Sequence, residues 1–275
     1  MPEKVLTFLG QTGNKNTKNP SPSTSPLGII PALQGLSEKI FAPSPLRIAS
    51  NKETGNLTRS GVISLTNAER AKVSVPALKE NSLLDIDAQK KMQDMFAKQY
   101  FEHVSPSGVG PGDLAKSVGY DYIIVGENLA LGNFKDDATL LAAWMASEGH
   151  KENILQPKYK EIGVAVGKGL YEGQETWIAV QSFGLPATAC PAPSITLKAK
   201  IESEDGEIAS LEKTLIAKKA EIDASSDDST YNKRVVEYNA LVTEYDSLVE
   251  TRQADAAVYN EGVRASNACR QKAAV

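Results

Sequence analysis

From Leu197 onward the apolar residues recur at alternating steps of three and four, and a chain spaced this way can only become an amphipathic helix that buries its stripe against another helix. On the first arm the stripe is Leu197, Ile201, Ile208, Leu211, Leu215 and Ile222, broken at Glu204 and Lys218. On the second it is Val235, Tyr238, Val242, Tyr245, Val249, Ala256, Tyr259 and Val263, broken at Arg252. The polar turn between them, Ala224 to Thr230, is short. Residues 191–275 are therefore expected to fold back as an antiparallel coiled-coil helical hairpin. Pairing of the tyrosine-rich second arm with another copy is the alternative, so the chain is expected to be a monomer or a coiled-coil dimer.

The two cysteines of the chain bracket this hairpin, Cys190 before the first arm and Cys269 at the end of the second. Counted from Asp227 they lie 37 and 42 residues away. At ~1.5 Å per helical residue the mismatch is only about 8 Å, which an extended Cys190-Pro-Ala-Pro193 can absorb. A Cys190–Cys269 disulfide is expected, and with it an oxidising compartment, the cell envelope or the exterior. No stretch approaches the roughly 18 apolar residues of a membrane span. The longest clean run, Leu140 to Ala146, reads as a buried helix. The first ten residues hold too short an apolar run for a secretory signal, so no signal or anchor is visible in this numbering.

Residues 1–60 hold seven of the fourteen prolines amid Ser, Thr and Asn, and read as a disordered tether. Its apolar clusters, Leu27–Leu36 and Ile40-Phe41, are taken as incidental to a linker, with docking as the alternative. The tether is net positive, with seven Lys and Arg against three acids, while the rest of the chain is net negative. Nothing here makes a basic groove, which excludes nucleic acid as the partner.

Residues 61–190 contain both tryptophans, both histidines and four of the six phenylalanines. About 130 residues bury enough surface to fold alone. A helix capped by Thr66-Asn67 is expected over 68–72, a second over about 85–101, and a third opened by Asp136 and ending near Gly149. Strands over 162–167 and 176–184, joined by a Gly-rich loop, suit an antiparallel hairpin. Helices followed by strands indicate an α+β sandwich. The polar residues that stand out are His103 after an aromatic-rich helix end, Glu127 in Gly126-Glu-Asn-Leu-Ala130, and Ser147-Glu-Gly-His150. The histidines are 47 residues apart, so spacing alone does not join them in one site.

A resemblance does. Leu65 to Arg70, Tyr100-Phe-Glu-His-Val-Ser-Pro-Ser-Gly108, Gly126 to Ala130, Trp144 to Leu155, Glu161-Ile-Gly163 and Trp177 to Gly184 resemble, in order and spacing, the bacterial branch of the CAP superfamily (cysteine-rich secretory protein, antigen 5, pathogenesis-related). The resemblance implies the family's α-β-α sandwich and a cleft where His103, Glu127 and His150 converge. Many bacterial members read Ser-Pro-Gly-His where this chain has Ser147-Glu-Gly-His150, so Glu148 either supplies a second acid or faces solvent. Two imidazoles and a carboxylate suit Zn²⁺ or a similar divalent ion.

The preferred reading is a secreted or envelope-associated module that binds a metal, a small hydrophobic ligand or an envelope component, without strong catalysis. The alternatives are a metal-dependent hydrolase of extracellular peptide or cell-wall polymer, with Glu127 as base, and a coiled-coil structural protein. Neither Ser105 nor Ser147 has the marks of an activated nucleophile.

Overall fold

The structure, a computed structural model, describes residues 28–30, 38–48, 55–224 and 230–274. The chain divides into two compact units, one of Leu33–Pro191 with Asn267–Val275, the other of Met1–Ala32 with Ala192–Ser266.

In the first unit, α1 spans Arg59–Lys72 and starts well before the expected Thr66-Asn67 cap. The cap is Thr58, whose side chain accepts from the Gly61 amide and is itself fixed to Asp137 at 2.7 Å. Thr66 and Asn67 lie within the helix and have other partners: Thr66 donates back to the Val62 carbonyl, and Asn67 brackets the backbone of Leu78, beyond the helix end. A Thr-Asn pair signals a helix start only when its side chains turn to their own helix's free amides. Helix α2 runs Ser82–Lys98 from an Asn81 cap and stops at Gln99, which adopts a left-handed conformation (φ 55°), so Phe101 lies beyond it. Helix α3 is Pro111–Ser117, α4 is Asp137–Ala146 with the expected Asp136 cap, and α5 is Glu148–Leu155.

The sheet holds β1 (Lys39–Phe41), β2 (Leu46–Arg47), β3 (Lys79–Glu80), β4 (Tyr122–Gly132), β5 (Glu161–Tyr171) and β6 (Gln174–Pro186). Its order is β1-β4-β6-β5-β3, with β2 also on β4. The expected antiparallel hairpin is β5 with β6, and it is longer than the sequence indicated. The chain reverses at Glu172-Gly173, both with positive φ, the geometry a tight two-residue turn demands. Strand β4 is buried at every residue, so it shows no polar and apolar alternation and its period is hidden.

Successive β4 residues face opposite layers. Leu129 meets Met92 and Met95 of α2 on one side. Ala130 meets the layer of α1, α4 and α5, including Trp144 and Ile154, on the other. Trp144, Leu129, Met95 and Ile154 are fully buried, each worth about 1.5–3 kcal/mol of transfer free energy. The result is an α-β-α sandwich, as the α+β reading anticipated.

Over residues 39–47 the tether expectation requires correction. Within residues 1–60, β1 pairs in parallel with Ile124–Gly126 and β2 with Ala130 and Leu131, and α1 begins at Arg59. Ile40 and Phe41, read as incidental, form part of β1. The physical reason is that an edge strand needs backbone groups more than side-chain pattern, and proline-rich flanks do not prevent two short pairings. Residues 1–27, 31–37 and 49–54 of the stretch lie outside the described residues.

The second unit contains α6 (Ile195–Asp223) and most of α7 (Tyr231–Ala274). Lys200 bonds Asp255, Asp205 bonds Arg252, Tyr245 bonds Glu212 and Lys218 bonds Glu237, so numbers rise on one arm as they fall on the other. The arms are antiparallel. Ile201 with Tyr259 and Val263, and Leu215 with Tyr238, bury the stripes. Arg252, a break in the apolar pattern, is 1% exposed and grips Asp205 through two nitrogens at 2.7 and 3.1 Å. Asp205 is itself half-buried, so the pair fixes a buried guanidinium to the water-exposed rim of the seam. The Asn260 side-chain amide accepts from the Ile30 amide at 2.7 Å and donates to the Gly28 carbonyl, holding residues 28–30 in this unit. From Asn267 on, α7 belongs to the first unit, where Cys269 bonds Cys190 with a Cα separation of 5.7 Å.

Candidate binding cleft

Glu127 and Asn128 sit at the middle of β4, opposite Ser182 and Gln181 of β6. Alternation sends them to different faces. Asn128 donates to the His150 carbonyl and to Gln181 Oε1, each at 3.1 Å, which ties α5 to the sheet. Asn153 donates to the Asn128 side chain at 3.0 Å and to the carbonyls of Glu127 and Phe41.

Glu127 is 1% exposed, and its Oε1 lies 2.6 Å from Nδ1 of His103. His103 comes from the loop after α2, where the buried Lys91 ammonium holds its backbone carbonyl at 2.7 Å. The other ring nitrogen, Nε2, lies 2.5 Å from the Pro43 carbonyl oxygen. A carbonyl can only accept, so Nε2 carries a hydrogen, and the 2.6 Å contact then needs a second hydrogen between Nδ1 and Glu127. His103 is thereby committed on both nitrogens.

His150 enters from α5, buried, with Nδ1 at 2.7 Å from Ser147 Oγ and Nε2 without a hydrogen-bond partner. Burial, then the charge of nearby His103, lowers its pKa to about 4, while the Leu129 carbonyl pulls weakly the other way. The imidazole is neutral at neutral pH. Glu148 is exposed on the first turn of α5 and does not join the cleft's buried groups. Ser105 Oγ meets Ser107 Oγ and the Val109 amide, so it organises its own loop.

Two buried ionisable residues of the cleft were not singled out in the sequence. Asp87 of α2 is 3% exposed, accepts from Ser182 Oγ at 2.6 Å, and has its other oxygen unpartnered. Burial raises its pKa to about 7, the Ser182 hydrogen bond opposing and the Glu127 charge adding. Lys91, one turn further on, is also buried and its pKa is lowered by desolvation. The available signal was an acid and a lysine four residues apart bordering the stripe of Ala88, Met92 and Met95.

The residues in this arrangement do not fit a metal ion. Neither ring nitrogen of His103 has a free lone pair, and among the described residues no group of three or more His, Cys, Asp or Glu is placed to hold one. Three buried atoms in the cleft, Asp87 Oδ1, Glu127 Oε2 and His150 Nε2, are unpartnered, but they are not grouped around one point as the protein ligands of a catalytic zinc site are.

The profile of the cysteine-rich secretory protein family (CAP) matches residues 63–183. An uncharacterized protein of Bacillus subtilis (strain 168), YkwD, is 43% identical over 116 residues, which is 42% of this chain and 43% of that one. An uncharacterized membrane protein of the same organism, YlbC, is 28% identical over 133 residues, 48% of this chain and 38% of that one. This chain therefore spans less than half the length of either relative. An extracellular SCP-domain protein from Bacillus anthracis str. Ames superposes with a TM-score of 0.40 at 28% identity, covering 46% of this chain and 39% of that one.

Proposed function

We propose, taking residues 63–183 as a domain of the cysteine-rich secretory protein (CAP) family, that this chain works outside the cytoplasm as a binding module. Its cleft recognises an envelope component by hydrogen-bond donation from His103 and does not turn it over. The observation that carries this reading is the double commitment of His103, with Glu127 on Nδ1 fixing the ring and Nε2 aimed as a donor at a carbonyl 2.5 Å away. An imidazole with an N–H facing a carbonyl recognises that carbonyl. It cannot also take a proton from water or a hydroxyl.

The remaining groups support the same reading. Ser147 has His150 as its hydrogen-bond partner, but a base with a pKa of about 4 is a poor activator, and its second nitrogen lacks the acid that orients a catalytic histidine. The Cys190–Cys269 disulfide supports the location, since such bonds persist in oxidising compartments.

The test is turnover. Purified chain incubated with labelled casein and with peptidoglycan should release no more product than its Glu127→Gln variant. Release by the wild type that Glu127→Gln abolishes would replace this reading with the hydrolase one.

A further inference from the structure

The first unit contains a segment that lies along the cleft as a bound peptide would. Residues 39–41 pair in parallel with β4 up to Gly126, and pairing resumes at Leu46 opposite Ala130. Between these rungs the segment leaves the ladder, over the positions of Glu127, Asn128 and Leu129. Pro43 and Pro45, which have no N–H to give a ladder, lie in this gap. At its crest the Pro43 carbonyl faces His103 Nε2, and two residues earlier the Phe41 carbonyl accepts from Asn153 at 3.1 Å. The cleft thus reads the segment through main-chain carbonyls.

Glycines make room for it. A Cβ on Gly149 would lie 2.7 Å from Pro43 Cβ, one on Gly112 would lie 2.8 Å from Ile40, and one on Gly132 would overlap Ile48. Its side-chain anchors are partly exposed: Leu46 and Ile48 pack on the edge of the core, and Glu38 accepts from Lys116 and Tyr122. Phe41 packs edge-on to Tyr159 at 6.4 Å, and Arg47 lies over Phe101 at 5.1 Å. Ile40 and Phe41 remain 48% and 36% exposed. Beside the segment, against α5, a cavity of about 760 Å³ lined by Pro43, Glu148 and Glu152 is open to solvent.

We propose that the outer edge of β4 above Glu127 is a polypeptide-binding groove and that residues 38–48 are its resident occupant. The ligand of the cleft is then an extended polypeptide, aligned parallel to β4, that leaves the ladder at a proline and presents a carbonyl to His103. Strand addition of this kind takes affinity from main-chain hydrogen bonds and specificity from a few side-chain pockets. The resident segment keeps the groove closed until it is displaced. This rests on the binding reading above and names its ligand class.

The test uses the full chain with sites for one specific protease placed on both sides of the segment, within residues 31–37 and 49–54. Cutting liberates residues 38–48 as a peptide, and a fluorescein-labelled synthetic copy of Glu38–Ile48 is then added. The expected result is saturable binding to the cut chain, weakened about tenfold or more by His103→Ala, by a scrambled peptide, and by leaving the chain uncut. Equal binding to the uncut chain, equal binding of the scrambled peptide, or no binding to a cut chain whose circular dichroism is unchanged overturns the proposal. So does loss of the fold on cutting, which would make the segment a structural strand. Hydrolysis of the labelled peptide would overturn the non-catalytic reading while leaving the groove in place, so the two failures are distinguishable.

Discussion

Ser182 Oγ of β6 donates to Asp87 Oδ2 of α2 at 2.6 Å, joining the two elements beneath Glu127. The same Asp87 and His150 titrate in opposite senses over one interval. Burial lowers the pKa of His150 from 6.5 to about 4, so its contribution to stability is present above its unfolded value and lost as pH falls toward 4. Burial raises that of Asp87 from 3.8 to about 7, so its contribution is present below pH 3.8 and lost as pH rises toward 7. They are on the order of 3 kcal/mol for His150 and 4 for Asp87, and between pH 4 and 6.5 their slopes oppose each other. Relative to wild type, Asp87→Asn should therefore gain stability as pH rises through this range, and His150→Gln should lose it. Urea unfolding at several pH values checks the signs, and parallel curves for all three proteins would contradict them.

Arg70 anchors the helix layer on the other face. It is fully buried and donates to the carbonyls of Pro76 and Ile154 at 2.8 Å and of Gln156 at 2.9 Å, joining the end of α1 to the end of α5. Arg70→Met keeps much of the volume but leaves three carbonyls without their donor. The expected loss is about 3–5 kcal/mol, read from the urea midpoint. A change under about 1 kcal/mol would show that water replaces the guanidinium at little cost.

The disulfide lends itself to a chemical test. Cys190 and Cys269 are 79 residues apart, and closing such a loop stabilises the folded chain by about 4 kcal/mol in the chain-entropy model. Protein from an oxidising compartment should present no thiol to iodoacetamide, even in denaturant, until a reductant is added. The Cys190→Ser, Cys269→Ser double variant should melt lower yet keep the sheet, whose interior contains no other cysteine. Two reactive thiols in the untreated protein would remove this bond from the account.

What the sequence made legible was whatever leaves a periodic or motif-level trace. The heptad arms, the cysteine pairing, the Asp136 cap and the β5–β6 hairpin were read from spacing or local chemistry, and the His103–Glu127 contact from a family resemblance. The losses have physical causes. Strand β4 hides because both of its faces are covered, and α1 was cut short because Thr66 and Asn67 bond elsewhere than a cap would. Asp87 was overlooked because a buried acid beside an apolar stripe has the same spacing as a solvated one. The pairing of residues 39–47 was missed because main-chain recognition requires no side-chain pattern.

The most direct measurement of the central claim follows from the chain having only two histidines. Uniform ¹⁵N-histidine labelling gives four ring-nitrogen signals, and His150→Gln assigns them. The account predicts that His103 Nε2 at neutral pH carries a hydrogen that exchanges slowly with solvent, because it is buried against the Pro43 carbonyl. An unprotonated Nε2 on His103, open to solvent, would mean that the cleft offers a base instead of a donor, and the binding account would be wrong.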